Sequence, residues 1–438
     1  MTSLAMKGAA ASPGAAKRNR VVIIGAGFGG LAAARALADA PCDVLVLDRR
    51  NHYLFQPLLY QVATAALSPA EIAWPVRHLL RRQANASVVM ARVETIDVAA
   101  RTVTAGPLTW SWDHLVLAAG SRHSYFGRDD WAPFAPGLKT LEDATDIRHR
   151  VLEAFERYEA APRRDPMTFV VVGGGPTGVE MAGALTELSR HALRDEFRNI
   201  DPARARVVLV EAGPRILPAL DPALSGEGQD RLEAMGVEVR TDTRVLDCHA
   251  DGVTLSTGVL PAEVVVWAAG VQASELVSQL PGPKDRSGRA VVTEALEIAG
   301  LPEVRVIGDA AAITDAAGQA VPGIAPAAKQ AGRYVGGAIA AALRGQVSAR
   351  SFRYRHAGNL ATIGTGSAVV ELGRLRLTGL IGWLFWSIFH VFFMIGVRNR
   401  VAVALDWVWG GLTRQRASRL VLHTPLQTAP AADPEKTL

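Results

Sequence analysis

Two stretches of this 438-residue chain carry one pattern, and that repetition constrains the fold more than any other feature. The first is Val21-Val-Ile-Ile-Gly25-Ala-Gly27-Phe-Gly-Gly30, which runs on into Leu31-Ala-Ala-Ala-Arg-Ala-Leu37. Four β-branched residues in a row predict a buried parallel strand. Gly25, Gly27 and Gly30 follow at the spacing of a dinucleotide fingerprint. The first glycine serves a tight turn, the second lets backbone approach a pyrophosphate, and the third lets the helix pack close to the strand. The alanine-rich run predicts a helix whose unpaired N–H groups and positive dipole end face the phosphates. A second apolar strand, Val44-Leu-Val-Leu47, ends in Asp48, about 20 residues on, where an acid would hold a ribose hydroxyl.

The second stretch is Thr168-Phe-Val-Val-Val-Gly173-Gly-Gly175-Pro-Thr-Gly178, and Val207-Val-Leu-Val210 then ends in Glu211. The longer gap before this acid predicts an extended helix or an insertion around residues 188–202. Two fingerprints predict two dinucleotides. They make the chain an α/β protein with two Rossmann-like dinucleotide-binding domains.

An apolar content of 49% with 41 glycines fits such an enzyme and excludes a disordered chain. The formal charge of +5 is modest, and no nucleic-acid-binding motif or zinc-ligand spacing is present, so neither nucleic acid nor metal is expected. Cys42 and Cys248 stand alone and far apart, which rules out a redox C-x-x-C and makes a reducing, cytoplasmic setting the default. The first residues are basic and lack an apolar core, so residues 1–18 read as a loose tail and not a secretory signal.

The chain divides at its Pro- and Gly-rich breaks. Residues 19–140 read as the first part of one nucleotide domain, 141–285 as the second nucleotide domain, and 286–350 as the return to the first. The segment from Arg49 to Thr64 is too apolar for a solvated loop and too broken by Pro57 for one helix. It is either a packed connection or the lining of a cofactor pocket. Ser68 and Glu71 predict a capping box opening a helix toward Arg82. Val304-Arg-Val-Ile307 reads as a final parallel strand with Asp309 at its carboxyl end, where ligands of such sheets sit. Pro326 then starts a helix through Leu343.

Residues 351–425 differ in character, and 426–438 read as a flexible tail. The uncharged run Leu377–Val397 exceeds the roughly 18 residues that flag a membrane span. Its flanks argue for another arrangement. Arg398, Arg400, Arg414, Arg416 and Arg419 follow it, and a single span would put them on the side away from the nucleotide folds, against the positive-inside bias. Helices lying in the interface would keep these arginines near anionic headgroups, with Trp383, Trp386, Trp407 and Trp409 at headgroup level. The expectation is therefore an amphipathic, apolar helical region that attaches without spanning, with part of the run available for a homodimer contact.

The motifs Asp48-Arg-Arg-Asn-His-Tyr-Leu-Phe-Gln-Pro-Leu-Leu-Tyr-Gln-Val-Ala-Thr64, Gly173–Glu180, Val266-Trp-Ala-Ala-Gly-Val271, Gly396-Val-Arg-Asn-Arg400 and Trp407-Val-Trp409 together resemble the type II NADH:quinone oxidoreductases. The resemblance runs from Val21 to about Leu422. It implies a single-subunit flavoenzyme that takes hydride from NADH to FAD and passes two electrons to a quinone without pumping protons. It implies Gly25, Gly27, Gly30, Asp48 with neighbouring Arg49, Ala119, Gly120 and Asp309 for FAD. It implies Gly173, Gly175, Gly178, Glu180 and Glu211 for NADH. Partners implied are a membrane quinone and the lipid surface on the cytoplasmic face of the cell membrane.

The chain departs from the family where an Ala-Gln-x-Ala-x-Gln motif is common, reading Ala325-Pro-Ala-Ala-Lys-Gln330, so only the last glutamine remains. Gln330 is expected near the flavin, offering its amide to a quinone carbonyl, and Glu180 is expected to orient the nicotinamide or relay a proton. The competing readings are a soluble FAD-dependent NADH reductase of a ferredoxin- or rubredoxin-type partner, which gives no reason for the apolar tail, and a redox-sensing scaffold without turnover.

Overall fold

Val21, Val22 and Ile23 have no accessible surface, because the strand they form lies inside a parallel sheet covered on both faces. The computed structural model describes residues 18–163, 165–315, 318–346, 351–416 and 418–421. Of the tails expected at residues 1–18 and 426–438, all but Arg18 lie outside them. The chain forms two compact units. One holds the described residues up to Tyr53, then Pro75–Arg122 and Gln272–His356; the other holds Leu54–Trp74, His123–Val271 and the described residues from Ala357.

In the first unit Asn19–Ile24 pairs in parallel with Cys42–Asp48 on one side and His114–Leu117 on the other. Ala86–Met90 and Leu301–Val306 extend the sheet in parallel at its two sides, and Glu297–Ile298 closes one edge antiparallel. The helix Phe28–Ala36 follows the fingerprint and packs along the helix Ala325–Leu343. Glycine makes that approach close: a Cβ on Gly332 would fall 2.1 Å from the Gly29 carbonyl oxygen. A three-stranded antiparallel meander, Thr95–Asp97, Thr102–Ala105 and Leu108–Ser111, completes the unit.

The second unit repeats this order. Thr168–Val172 lies between Arg206–Val210 and Val264–Trp267, with Val237–Arg240 outside, all parallel. Its meander is Val245–His249, Gly252–Leu255 and Gly258–Pro261. The residues inserted before Glu211 form a wide π-helical turn at Leu188–Ala192 after the helix Pro176–Glu187, then a loop to Pro202.

One local expectation is corrected. The capping box at Ser68 and Glu71 is formed, but its helix is only Pro69–Ile72; extended residues Ala73–Pro75 interrupt it before Val76–Leu80. Pro75 has no N–H to give a helix and forces Trp74 toward extended backbone. The apolar tail run, expected to attach without spanning, is not one continuous helix. Its helix Gly379–Phe393 stops, the chain turns at Gly396 with φ +88°, and a second helix covers Val397–Thr413. A Cβ on Gly396 would meet the Trp74 ring at 2.8 Å, so only glycine fits this corner. No described helix is long and apolar enough to cross a membrane.

Candidate functional site

Each nucleotide sheet presents the same cradle at the carboxyl ends of its two central strands. In the first unit the Asp48 carboxylate accepts the Ala26 amide at 2.6 Å and the Arg50 amide at 2.8 Å. In the second, Glu211 accepts the Gly174 amide at 2.5 Å and the Gly213 amide at 2.6 Å. Each acid thus clamps the turn after the first fingerprint glycine to the loop after its own strand. A carboxylate has about four acceptor sites, so two remain on each acid for a ribose diol. Arg49, beside Asp48, is exposed.

The glycines divide by role. Gly25 and Gly173 have φ of +100° and +111°, in the region that excludes ordinary side chains. A Cβ on Gly30 would fall 1.8 Å from the Gly25 carbonyl oxygen, and one on Gly178 would fall 1.8 Å from that of Gly173. Gly27 and Gly175 have nothing within 4 Å of that position. Neither fingerprint helix has a side chain capping its first N–H groups. Open glycine backbone beside uncapped helical amides is the chemistry a pyrophosphate requires, and both cradles fit one. Also in the first unit, Ala119 and Gly120 follow the strand His114–Leu117, Gly120 has φ +68°, and the Ser121 hydroxyl donates to Asp309 Oδ2 at 2.6 Å. Asp309 lines a pocket with Gly308, Gly323 and Ile324 at the start of the helix Ala325–Leu343.

Glu180 lies inside the second fingerprint helix and is 9% exposed. Burial pushes its carboxyl up to about 8, and the approach of the Thr362 amide at 3.5 Å pulls only weakly the other way. Burial thus favours its protonated form. Tyr60 is buried in the same unit, and its phenol is held well above the ordinary range by burial and by the Glu180 charge. Gln61 donates to the Tyr60 hydroxyl at 2.9 Å and accepts the Trp407 indole at 2.8 Å. Beside them Arg416 pairs with Glu187 at 3.1 Å and donates to the Thr64 and Ala184 carbonyls.

Both atoms of the Gln330 amide are engaged within the first unit. The nitrogen donates to the Arg355 carbonyl at 2.9 Å, and the oxygen accepts the Arg355 amide at 2.9 Å.

The model of the pyridine nucleotide-disulphide oxidoreductase family matches residues 19–332, and that of the NDH2 C-terminal domain matches residues 356–415. The type II NADH:quinone oxidoreductase Ndh of Mycobacterium tuberculosis is 41% identical over 419 residues, 91% of this chain and 89% of that protein. The chain belongs to the type II NADH:quinone oxidoreductases. Among more distant relatives of this oxidoreductase, the demethylphylloquinone reductase NdbB of Synechocystis is 29% identical over 89% of the chain and 96% of its own length. The solved structure of NDH2 from Plasmodium falciparum in complex with NADH has the same fold. It superposes with a TM-score of 0.82 at 17% identity, over 93% of this chain and all of that one.

In this oxidoreductase the residues left open by the sequence are Tyr60 and Gln61. The apolar segment around them allows either core or pocket, and the structure makes it a buried polar seam beside Glu180. Trp386, expected at headgroup level, is 1% exposed, and Arg416 is taken up by Glu187. A tryptophan or arginine in a basic apolar tail reads alike whether it faces lipid or its own protein.

Proposed function

We infer that this chain oxidises NADH and reduces a quinone, with FAD as its resident cofactor. Two cradles of one design in a chain 41% identical to a type II NADH:quinone oxidoreductase carry that reading. Bound FAD supplies the ring that accepts hydride and gives up two electrons.

The chain's own residues supply binding and protons. Gly25, Gly27, Gly30 and the first turn of the Phe28–Ala36 helix hold the FAD pyrophosphate. Asp48, with Arg49 beside it, holds the adenosine ribose, and Ala119, Gly120 and Asp309 hold the rest of FAD. Gly173, Gly175, Gly178 and Glu211 do the same for NADH. The net reaction, NADH + H⁺ + quinone giving NAD⁺ + quinol, takes up one proton per turnover. Glu180 stores a proton in a dry carboxyl whose pKa is about 8 and stands near neutrality, as a general acid needs. Gln330 holds the Arg355 backbone with one amide hydrogen and offers the other to a quinone carbonyl.

The C-terminal helices attach to the lipid surface on the cytoplasmic face, with a homodimer contact over part of the apolar run. Ile381, Ile388, Val397, Leu405 and Leu412 support this attachment, each more than half exposed.

The test is turnover of the purified flavoprotein with NADH and a water-soluble quinone analogue. FAD bound one to one and quinone-dependent NADH oxidation are expected. NADH oxidation that proceeds only with a ferredoxin- or rubredoxin-type acceptor would overturn the reading.

A further inference from the structure

The loop that enters the second unit is nailed down by aromatic rings. Tyr125 and Trp131 are buried, with ring centroids 5.2 and 5.6 Å from that of Trp267. The Trp267 indole donates to the Ser124 carbonyl at 2.9 Å, the Trp131 indole to Asp247 at 2.8 Å, and the Tyr125 hydroxyl to the Ala135 carbonyl at 2.9 Å. Phe126, in the middle of this loop, is treated oppositely. Its side chain is left in water at 72% exposure, and its backbone has φ +54°.

Left-handed backbone costs a bulky L-residue on the order of 1 kcal/mol or more, and glycine adopts it without that cost. Gly127, the next residue, already does so at φ +90°. The ring is therefore kept in spite of the backbone, mostly in water, with an edge contact to Trp267 at 6.2 Å between centroids. Its position says what it serves. A Cβ on Gly270 would come within 2.8 Å of Phe126 Cζ, so the ring lies on the backbone that follows the strand Val264–Trp267.

That strand flanks the fingerprint strand on the side away from Glu211. In a sheet of this order the acid marks the adenosine ribose, the fingerprint glycines mark the pyrophosphate, and the dinucleotide crosses the point where strand order reverses. The second nucleotide half then lies over the carboxyl end of Val264–Trp267, beside Gly270. We propose that Phe126 is a substrate-contact residue whose exposed ring packs against the nicotinamide ring of bound NADH. The assignment rests on the second unit being the NADH unit.

The experiment is calorimetric binding of NAD⁺ and of ADP-ribose, which lacks only the nicotinamide, to FAD-loaded wild type, Phe126→Gly and Phe126→Tyr. Glycine relieves the backbone but gives up the edge contact with Trp267, two effects of similar size, so Phe126→Gly should melt close to wild type. A base stacked on an aromatic ring is worth about 1–3 kcal/mol, so NAD⁺ should bind Phe126→Gly on the order of tenfold more weakly. ADP-ribose should bind it unchanged, and Phe126→Tyr should bind both normally. Unchanged NAD⁺ affinity in Phe126→Gly would overturn the proposal, as would an equal loss for both ligands. A wild type that binds neither ligand would instead remove the NADH assignment of the unit, and the proposal with it.

Discussion

The indole nitrogen of Trp407 donates to Gln61 Oε1 at 2.8 Å, joining the last described helix to a segment 346 residues earlier. The ring of Trp407 also lies 5.3 Å from that of buried Trp386. Asn399, on the same helix, donates to the Ala70 carbonyl at 3.2 Å. The inner side of the C-terminal helices is thus part of the second unit's core, and the outer side is left for the proposed attachment.

Charge placed on that outer side should release the protein from lipid without unfolding it. Ile388 and Leu412 are 71% and 79% exposed. Burial of each contributes about 1.5–3 kcal/mol to partitioning, while exposed substitutions shift folding by only about 0.5 kcal/mol. The Ile388→Glu, Leu412→Glu double variant should keep its FAD and its melting temperature and stay in the supernatant with anionic vesicles. Sedimentation like wild type would place the attachment elsewhere.

The second and third glycines of the first fingerprint should fail differently. Gly30→Ala drives a methyl into the Gly25 carbonyl and should destabilise the apoprotein by about 1–3 kcal/mol or more. Gly27→Ala meets no protein atom within 4 Å. It should leave the apoprotein's melting temperature near wild type and lower FAD affinity on the order of tenfold, read by flavin fluorescence on titration.

Glu211 should set the choice of nucleotide. Its carboxylate accepts from a ribose 2′-hydroxyl and repels a 2′-phosphate, so kcat/KM for NADH should exceed that for NADPH. Arg215, close in sequence, has two of its guanidinium donors held by the Leu220 and Pro218 carbonyls. Glu211→Gln should narrow the preference, and it should cost some stability through the weakened clamp on Gly174 and Gly213. Equal efficiencies in wild type would remove the role.

Glu180 should make the enzyme's stability depend on pH. Its folded pKa of about 8 lies above the unfolded value near 4.5, so the folded state holds the extra proton between them. Stability then falls as pH rises through that window, by at most about 1.4 kcal/mol per unit from this group. Glu180→Gln should flatten the decline in melting temperature between pH 5 and 8. It should also lower quinone-dependent kcat while leaving the melting temperature at pH 5 nearly unchanged. A parallel decline in both proteins would show that the carboxyl does not titrate there.

The two Rossmann-like folds and their cradles were legible because their causes are local. A run of β-branched residues, three glycines at fixed spacing and an acid closing the next strand each state their backbone geometry within a few residues. Asp48 and Glu211 could be named before their amide partners were seen. What the neighbours do to a residue was not legible. The short helix at Pro69–Ile72 carries a correct start signal, yet Pro75 decides where it ends. Glu180 is an ordinary acid on a helix until Tyr60 and Thr362, brought beside it by other elements, take away its water. Gln330 could be placed on its helix from Pro326 alone, but the partner of its amide, Arg355, depends on how the following chain returns. Trp386 and Trp407 look like residues for a lipid interface, and only packing turns them inward. Local geometry follows from which side chains adjoin along the chain; burial, pKa and exposure follow from which ones adjoin in space, and the tertiary structure alone decides those.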